Sequence, residues 1–254
     1  MKFLRDIWLV FTRYWGLFVG NPVWILIGIL QPVLYLLLFA PLLKPLAATT
    51  AGFGNGGAYN FFVPGLLIQI GLFSGSGVGF SLIAELRGGV IERLRVTPVS
   101  RLALLLGRAL RDMITLIVQS LILIVLSVPF GLRINARGTV VMLLLMALIG
   151  LLFSSISYAL ALTLKSEDAF APLFFTASLP LLLLSGVLLP LTLAPNWLQD
   201  VARVNPLYYA VNAGRAIFNN NLGDPSVVIG VLVMAALAAA AAITAGRSFA
   251  RAIA

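Results

Sequence analysis

From Thr139 to Leu164 the chain runs 26 residues without a charge. At 1.5 Å per residue a helix of that length reaches about 39 Å, more than the roughly 30 Å hydrocarbon core of a bilayer. Lipid asks only that the backbone polar groups be satisfied, and a helix satisfies them internally. Five more stretches share this character: Val23–Leu43, Phe61–Ile83, Met113–Phe130, Ala169–Leu193 and Ser226–Gly246. Together they predict an all-α membrane protein with six transmembrane helices, folded as a single transmembrane domain over residues 1–254. Composition agrees: 61% of residues are hydrophobic and 10% charged, where a soluble domain carries about 25% charged residues. No soluble domain, linker or convincing internal repeat is visible.

The segments between the runs have distinct characters. Residues 1–20 place Leu4, Ile7, Trp8, Phe11, Trp15 and Phe18 at helical spacing, with Lys2, Arg5, Asp6 and Arg13 mostly elsewhere. These charges rule out a span and a cleaved signal peptide. They predict an amphipathic helix lying in the membrane interface, with Trp8, Tyr14 and Trp15 at headgroup depth. Asn21-Pro22 ends it. Pro32 predicts a kink in the first span, and the glycine-rich stretch 46–60 reads as a flexible loop. In the second span Gly71, Gly75 and Gly79 repeat every four residues, a spacing that lets helices approach closely in lipid. The same helix could instead line a pathway with Gln69 and its serines. Gln69 is expected to face protein or water. The fifth run is interrupted by Pro172, Pro180, Ser185-Gly186 and Pro190, and residues 194–225 are amphipathic and too polar to cross.

One charged island stands apart. Residues 84–112, AELRGGVIERLRVTPVSRLALLLGRALRD, hold six of the 17 Lys and Arg residues and three of the eight acids. With the N-terminus inside, the inner segments carry twelve basic residues and the outer ones five. The positive-inside rule then puts both termini and the island in the cytoplasm. The net charge of +9 accordingly reads as membrane topology and contact with anionic lipid, not as nucleic-acid binding. Within the island Leu86, Val90 and Leu94 share one helical face, and Glu85, Gly88, Gly89, Glu92 and Arg95 the opposite sector. Two adjacent glycines weaken a helix by about 1 kcal/mol each but let a second backbone come near. An acidic face with a glycine notch fits a groove on another protein. Thr97-Pro98 stops this helix. Further on, Arg108, Arg111 and Asp112 mark the start of the third span, where arginines snorkel to the interface.

Several chemistries are excluded. The chain has no Cys and no His, which removes thiolate and ordinary zinc sites and the Ser-His-Asp arrangement. Its acids are too scattered for paired-carboxylate or nucleophile–base catalysis. None of its three lysines follows a glycine, so no phosphate-cradling Gly-Lys-Ser/Thr loop exists. Apart from Asp112 and its neighbours, the expected spans hold no ionisable group, which argues against an ion-coupled carrier.

The run Glu85-Leu-Arg87-Gly88-Gly89-Val-Ile-Glu92-Arg93-Leu94-Arg-Val-Thr97-Pro98-Val-Ser-Arg101 resembles the cytoplasmic coupling segment of type-2 ATP-binding-cassette export permeases, in the drug and polyketide-antibiotic (daunorubicin-resistance-like) branch. Leu184-Ser185-Gly186-Val-Leu-Leu-Pro190, Ala194-Pro195-Asn-Trp197 and Val204-Asn205-Pro206-Leu-Tyr208 through Arg215 are similar to the same family's fifth span and outer re-entrant segment. Gly89 and Leu86 depart from its more frequent polar and charged residues. The resemblance implies a cytoplasmic coupling helix and an outer re-entrant segment on the six-span frame. It implies two copies of the permease around a pathway, and two copies of a separate ATPase that carries ATP and Mg, with no cofactor in this chain. Glu85, Arg87, Gly88, Gly89, Glu92, Arg93, Leu94, Thr97 and Pro98 would couple to that ATPase. The helix Lys2–Phe18 and the tight turn Lys165–Asp168 would lie near it. Ser185, Gly186 and Pro190 would sit near an outer gate, and Gln69, Ser74, Ser76, Gln119 and Ser157 would offer sparse hydrogen bonds along the pathway. A hydrophobic or amphiphilic cargo moved outward, a drug, an antibiotic or a lipid, suits such a lining. A lipid-linked glycan, or an ATP-independent carrier or channel, is the alternative.

Overall fold

In the computed structural model, residues 2–20, 23–39, 41–42, 45, 57–95, 99–188 and 190–252 are described. They form ten α-helices: α1 Lys2–Val19, α2 Val23–Leu34, α3 Gly57–Arg87, α4 Val90–Arg95, α5 Arg101–Ser127, α6 Ala136–Leu164, α7 Glu167–Leu183, α8 Asn196–Ala202, α9 Pro206–Phe218 and α10 Pro225–Ala252. Among the described residues there is no strand. Four helical stretches among the described residues are long and apolar enough to cross a membrane: Gly57–Arg87, Leu102–Phe130, Ala136–Leu164 and Pro225–Phe249. The two remaining expected spans are shorter. Past Pro32, α2 widens into a π turn at Tyr35–Phe39, as the missing proline N–H and its ring disturb the ladder. α7 has 17 residues, just under the about 20 that cross a bilayer upright.

Local chemistry sets the boundaries. Asn135 caps α6 by accepting from the Arg137 N–H at 3.1 Å, and Lys165 ends it with φ 53. Glu167 and Asp168 occupy the first turn of α7, where they complement the helix dipole. Asn205 caps α9 ahead of Pro206, accepting from Leu207 at 3.0 Å.

α3 is the central post. Residues 58–72 are all buried, and α2, α5, α6, α7 and α9 pack around it. The glycine ladder faces its neighbours. A Cβ at Gly71 would lie 2.6 Å from Ile149, one at Gly75 would lie 2.8 Å from Phe153, and one at Gly79 would strike the Phe170 ring. The small residues thus form the seam along which α3 meets α6 and α7. The core divides in two. One cluster runs through the body of the bundle. A second gathers Val10, Tyr14, Leu82, Ile83, Ile91, Leu104, Leu105, Tyr158, Phe170 and Phe249 at the end of α3 that carries the charged island.

Three sequence-based boundaries are corrected. The third long helix begins at Arg101, not near Met113, because Ser100 caps it by accepting from Ala103 at 3.2 Å and its early charges find partners within the protein. The first half of the island is not one helix. α3 runs through Glu85 to Arg87, and the chain breaks at Gly88-Gly89. The fifth run stops at Leu183. Ser185 donates back to the Leu182 carbonyl at 2.6 Å, and Gly186 takes φ 75, a left-handed conformation that glycine adopts without penalty.

Candidate functional site

The island end of the bundle holds a buried polar clamp. Arg108, on α5, is 2% exposed. Its guanidinium donates to the Glu85 carboxylate at the end of α3 and to the Tyr14 hydroxyl on α1. That hydroxyl in turn donates to Glu85 at 2.9 Å, and the guanidinium lies 4.5 Å from the Tyr14 ring centroid. One turn further along α5, Arg111 and Asp112 form an ion pair at 3.1 Å, and Tyr158 of α6 donates to the Asp112 carboxylate. Two cations and two anions therefore lock α1, α3, α5 and α6 together. Burial pushes the Tyr14 hydroxyl up to about 12; Arg108 opposes that rise and Glu85 adds to it. The group stays a donor across the physiological range.

The clamp corrects two expectations. Arg108 does not snorkel; it points into protein. The Tyr14 side chain faces α3 and α5, and Val10 and Phe11 are buried with it, while Leu4 and Trp8 point away from the bundle, 71% and 58% exposed. Glu85 likewise turns inward instead of joining an open acidic face.

Beyond the clamp the chain turns out. The Gly88 N–H donates to the Ala84 carbonyl at 2.9 Å and the Gly89 N–H to Leu86 at 3.3 Å, and Gly89 has φ 65. α3 thus ends in a left-handed glycine cap, and the six-residue α4 starts in a new direction. Ile91 anchors α4, 4% exposed within the second core cluster, while Arg93 is exposed. The Glu92 and Leu94 side chains are not among the described groups, and Thr97 and Pro98 lie outside the described residues. Arg87 reaches Glu167 at 4.0 Å, so the tight turn after α6 sits beside the island.

The pathway candidates do not meet on one open surface. The Ser157 hydroxyl donates to the Ser76 carbonyl and accepts the Gly79 N–H at 2.8 Å, which staples α6 to α3. Ser74 donates to Gln119 at 2.8 Å, joining α3 to α5. Gln69 is 1% exposed and has no hydrogen-bond partner among the described residues. At the far end of the bundle Ser185 is buried and Gly186 forms the turn, while Pro190 lines a cavity. The Arg215 Nε donates to the Phe61 carbonyl at 3.3 Å and its terminal nitrogen to the Gly186 carbonyl.

The clamp escaped sequence reasoning because its members lie up to 94 residues apart. The available signal was the spacing of Arg108, Arg111 and Asp112 on one face of an otherwise apolar helix. Intramembrane charges of that kind call for named partners.

Helices of bilayer length packed round a central post, with a structural charge clamp and no catalytic constellation among the described residues, define a polytopic helical membrane protein. Residues 5–219 match the ABC-2 type transporter family, and the chain belongs to it. It is 26% identical over 221 residues to the ycf38 transport permease of Cyanophora paradoxa, covering 86% of this chain and 76% of that one. The ycf38 permease of Porphyra purpurea is 29% identical over 214 residues, 83% and 72% of the two chains. The daunorubicin resistance ABC transporter permease protein DrrB1 of Streptomyces coeruleorubidus is 26% identical over 228 residues, 86% and 76% of the two chains. The chain is thus a transport permease of a family that works with a separate ATPase subunit.

Proposed function

We propose that this chain is the membrane-spanning half of an ATP-driven exporter in the cell membrane, with both termini cytoplasmic. Two copies enclose the pathway, and two copies of a separate ATPase dock beneath the island. The observation that carries this reading is the left-handed break at Gly88-Gly89. It sends the short α4 away from a helix end fixed to two neighbours, α1 and α5, by the Glu85–Arg108–Tyr14 clamp. A motor pushing on α4 then moves α3, and with it the central post, so that its closure favours one of two membrane states. α1 lies in the interface, α2 and α7 complete six spans, and α8–α9 form the outer re-entrant segment. The division of labour between chains agrees with the missing Gly-Lys-Ser/Thr loop.

The cargo is hydrophobic or amphiphilic, since the long helices turn large apolar side chains outward (Val140 is 67% and Leu232 62% exposed) and carry few charges. The daunorubicin resistance named for DrrB1 supports a drug or antibiotic. A lipid-linked glycan is the second reading within the same mechanism. Glu92→Lys reverses the charge at the centre of α4 and is expected to abolish transport-coupled ATP hydrolysis, measured on the permease co-expressed with its ATPase, while the helices stay inserted. Normal coupled hydrolysis in that variant would end the docking reading.

A further inference from the structure

At the end of α3 away from the island lies a cavity of ≈ 250 Å³, whose walls include Phe61, Gln199, Arg203, Tyr208, Asn212 and Arg215. Two arginines line it and no carboxylate does. Arg203 stands at the rim, 63% exposed, and is paired at 3.1 Å with Asp200. Arg215 is placed differently. Its guanidinium lies 3.5 Å from the centroid of the Phe61 ring, and two of its N–H groups are held by the carbonyls of Phe61 and Gly186. A guanidinium has five N–H donors. Those left over belong to a cation that pairs with no acid among the described residues. Burial pulls its pKa down to about 9, so at neutral pH the charge remains and is poorly compensated. The Asn212 amide and the Tyr208 hydroxyl, which also line the cavity, make no hydrogen bond to a described residue.

A cation fixed from one face by a ring and from one edge by carbonyls is already oriented, which reduces the entropy lost when a ligand binds. Its fork geometry matches oxyanions, phosphate above all. The cavity falls just below the roughly 300–1,000 Å³ of sites that enclose a drug-sized molecule. It suits a headgroup and not a whole cargo. We propose that this cavity is an anion site for a phosphate group, anchored by Arg215, with Asn212 and Tyr208 as further donors and Arg203 at the mouth. The phosphate arrives either on a glycerophospholipid of net negative charge or as a free ion. The site stands on α3, α8 and α9, far from α4, and does not depend on motor docking.

The test is thermal unfolding of the full chain in a neutral detergent, titrated with dihexanoyl-phosphatidylglycerol, dihexanoyl-phosphatidylcholine or inorganic phosphate. Saturable stabilisation by the phosphatidylglycerol alone supports the site with a lipid headgroup as its source. Equal stabilisation by inorganic phosphate supports it with the free ion as source. Arg215→Gln and Asn212→Leu are each expected to weaken the response about tenfold, the loss of one charge-assisted bond. Asn212→Leu leaves both arginines in place, so it still reports on the site if Arg215→Gln fails to fold. An absent or non-saturable response to both anions overturns the proposal. So does a response equal to that of phosphatidylcholine, or one that Asn212→Leu leaves unchanged.

Discussion

Each end of this bundle holds an arginine in place, and the two are compensated in opposite ways. Arg108 is sealed between α1, α3 and α5 with a carboxylate and a phenol. Among the described residues Arg215 has two carbonyl oxygens and the face of Phe61, and no carboxylate. A buried charge that has its counter-charge is part of the frame, and removing one member leaves the other stranded. A charge held in position without one is available to something that arrives. The same residue type therefore fastens helices at the island end and presents a donor at the other.

Comparing the two arginines in one stability assay is the most severe trial of that contrast. Arg108→Met strands the Glu85 carboxylate and is expected to lower unfolding stability by about 3–5 kcal/mol, with most of it regained when Glu85→Leu is added. Arg215→Met strands only carbonyl oxygens and should lower it by about 1–3 kcal/mol. Chemical unfolding in detergent measures both. An equal or reversed order, or a double variant no better than Arg108→Met alone, breaks the comparison. Tyr14→Phe removes one hydroxyl and leaves the ion pair, and its expected loss is about 0.5–1.5 kcal/mol. The high pKa of that hydroxyl makes the difference from the unsubstituted chain independent of pH between 6 and 9, since burial keeps it protonated up to about 12. A difference that shrinks within that window would mean that the phenol does not hold the clamp as a neutral donor.

The bundle was largely legible in the chain because apolar runs are one-dimensional. The 26-residue run from Thr139 falls within α6, and Phe61–Ile83 within α3. Where charges begin, the reading fails in a consistent direction. Arg108, Arg111 and Asp112 mark water in a linear sequence. In the fold, Glu85, Tyr14 and Tyr158 approach from 23 to 94 residues away and make their burial tolerable, so α5 starts a dozen residues early. Gly88-Gly89 was legible as a weak point of a helix. That it reverses handedness and ends α3 depends on φ at Gly89, which composition does not reveal. Gly186 ended the fifth run ten residues early for the same reason. Ser157 could have faced a pathway or a neighbouring helix, and only the packing of α3 on α6 shows its hydroxyl bonded to the backbone of α3 at Ser76 and Gly79.

The proposed mechanism requires that α4 meet a separate ATPase. The chain has no cysteine, so a thiol introduced by Arg93→Cys is the only one present. Arg93 is exposed on α4. In membranes containing both subunits, a short bifunctional maleimide is expected to link Arg93→Cys to the ATPase and to leave Asn219→Cys, at the far end of the bundle, unlinked. Cross-linking from Asn219→Cys instead, or labelling of Arg93→Cys from outside intact cells by an impermeant maleimide, would contradict it.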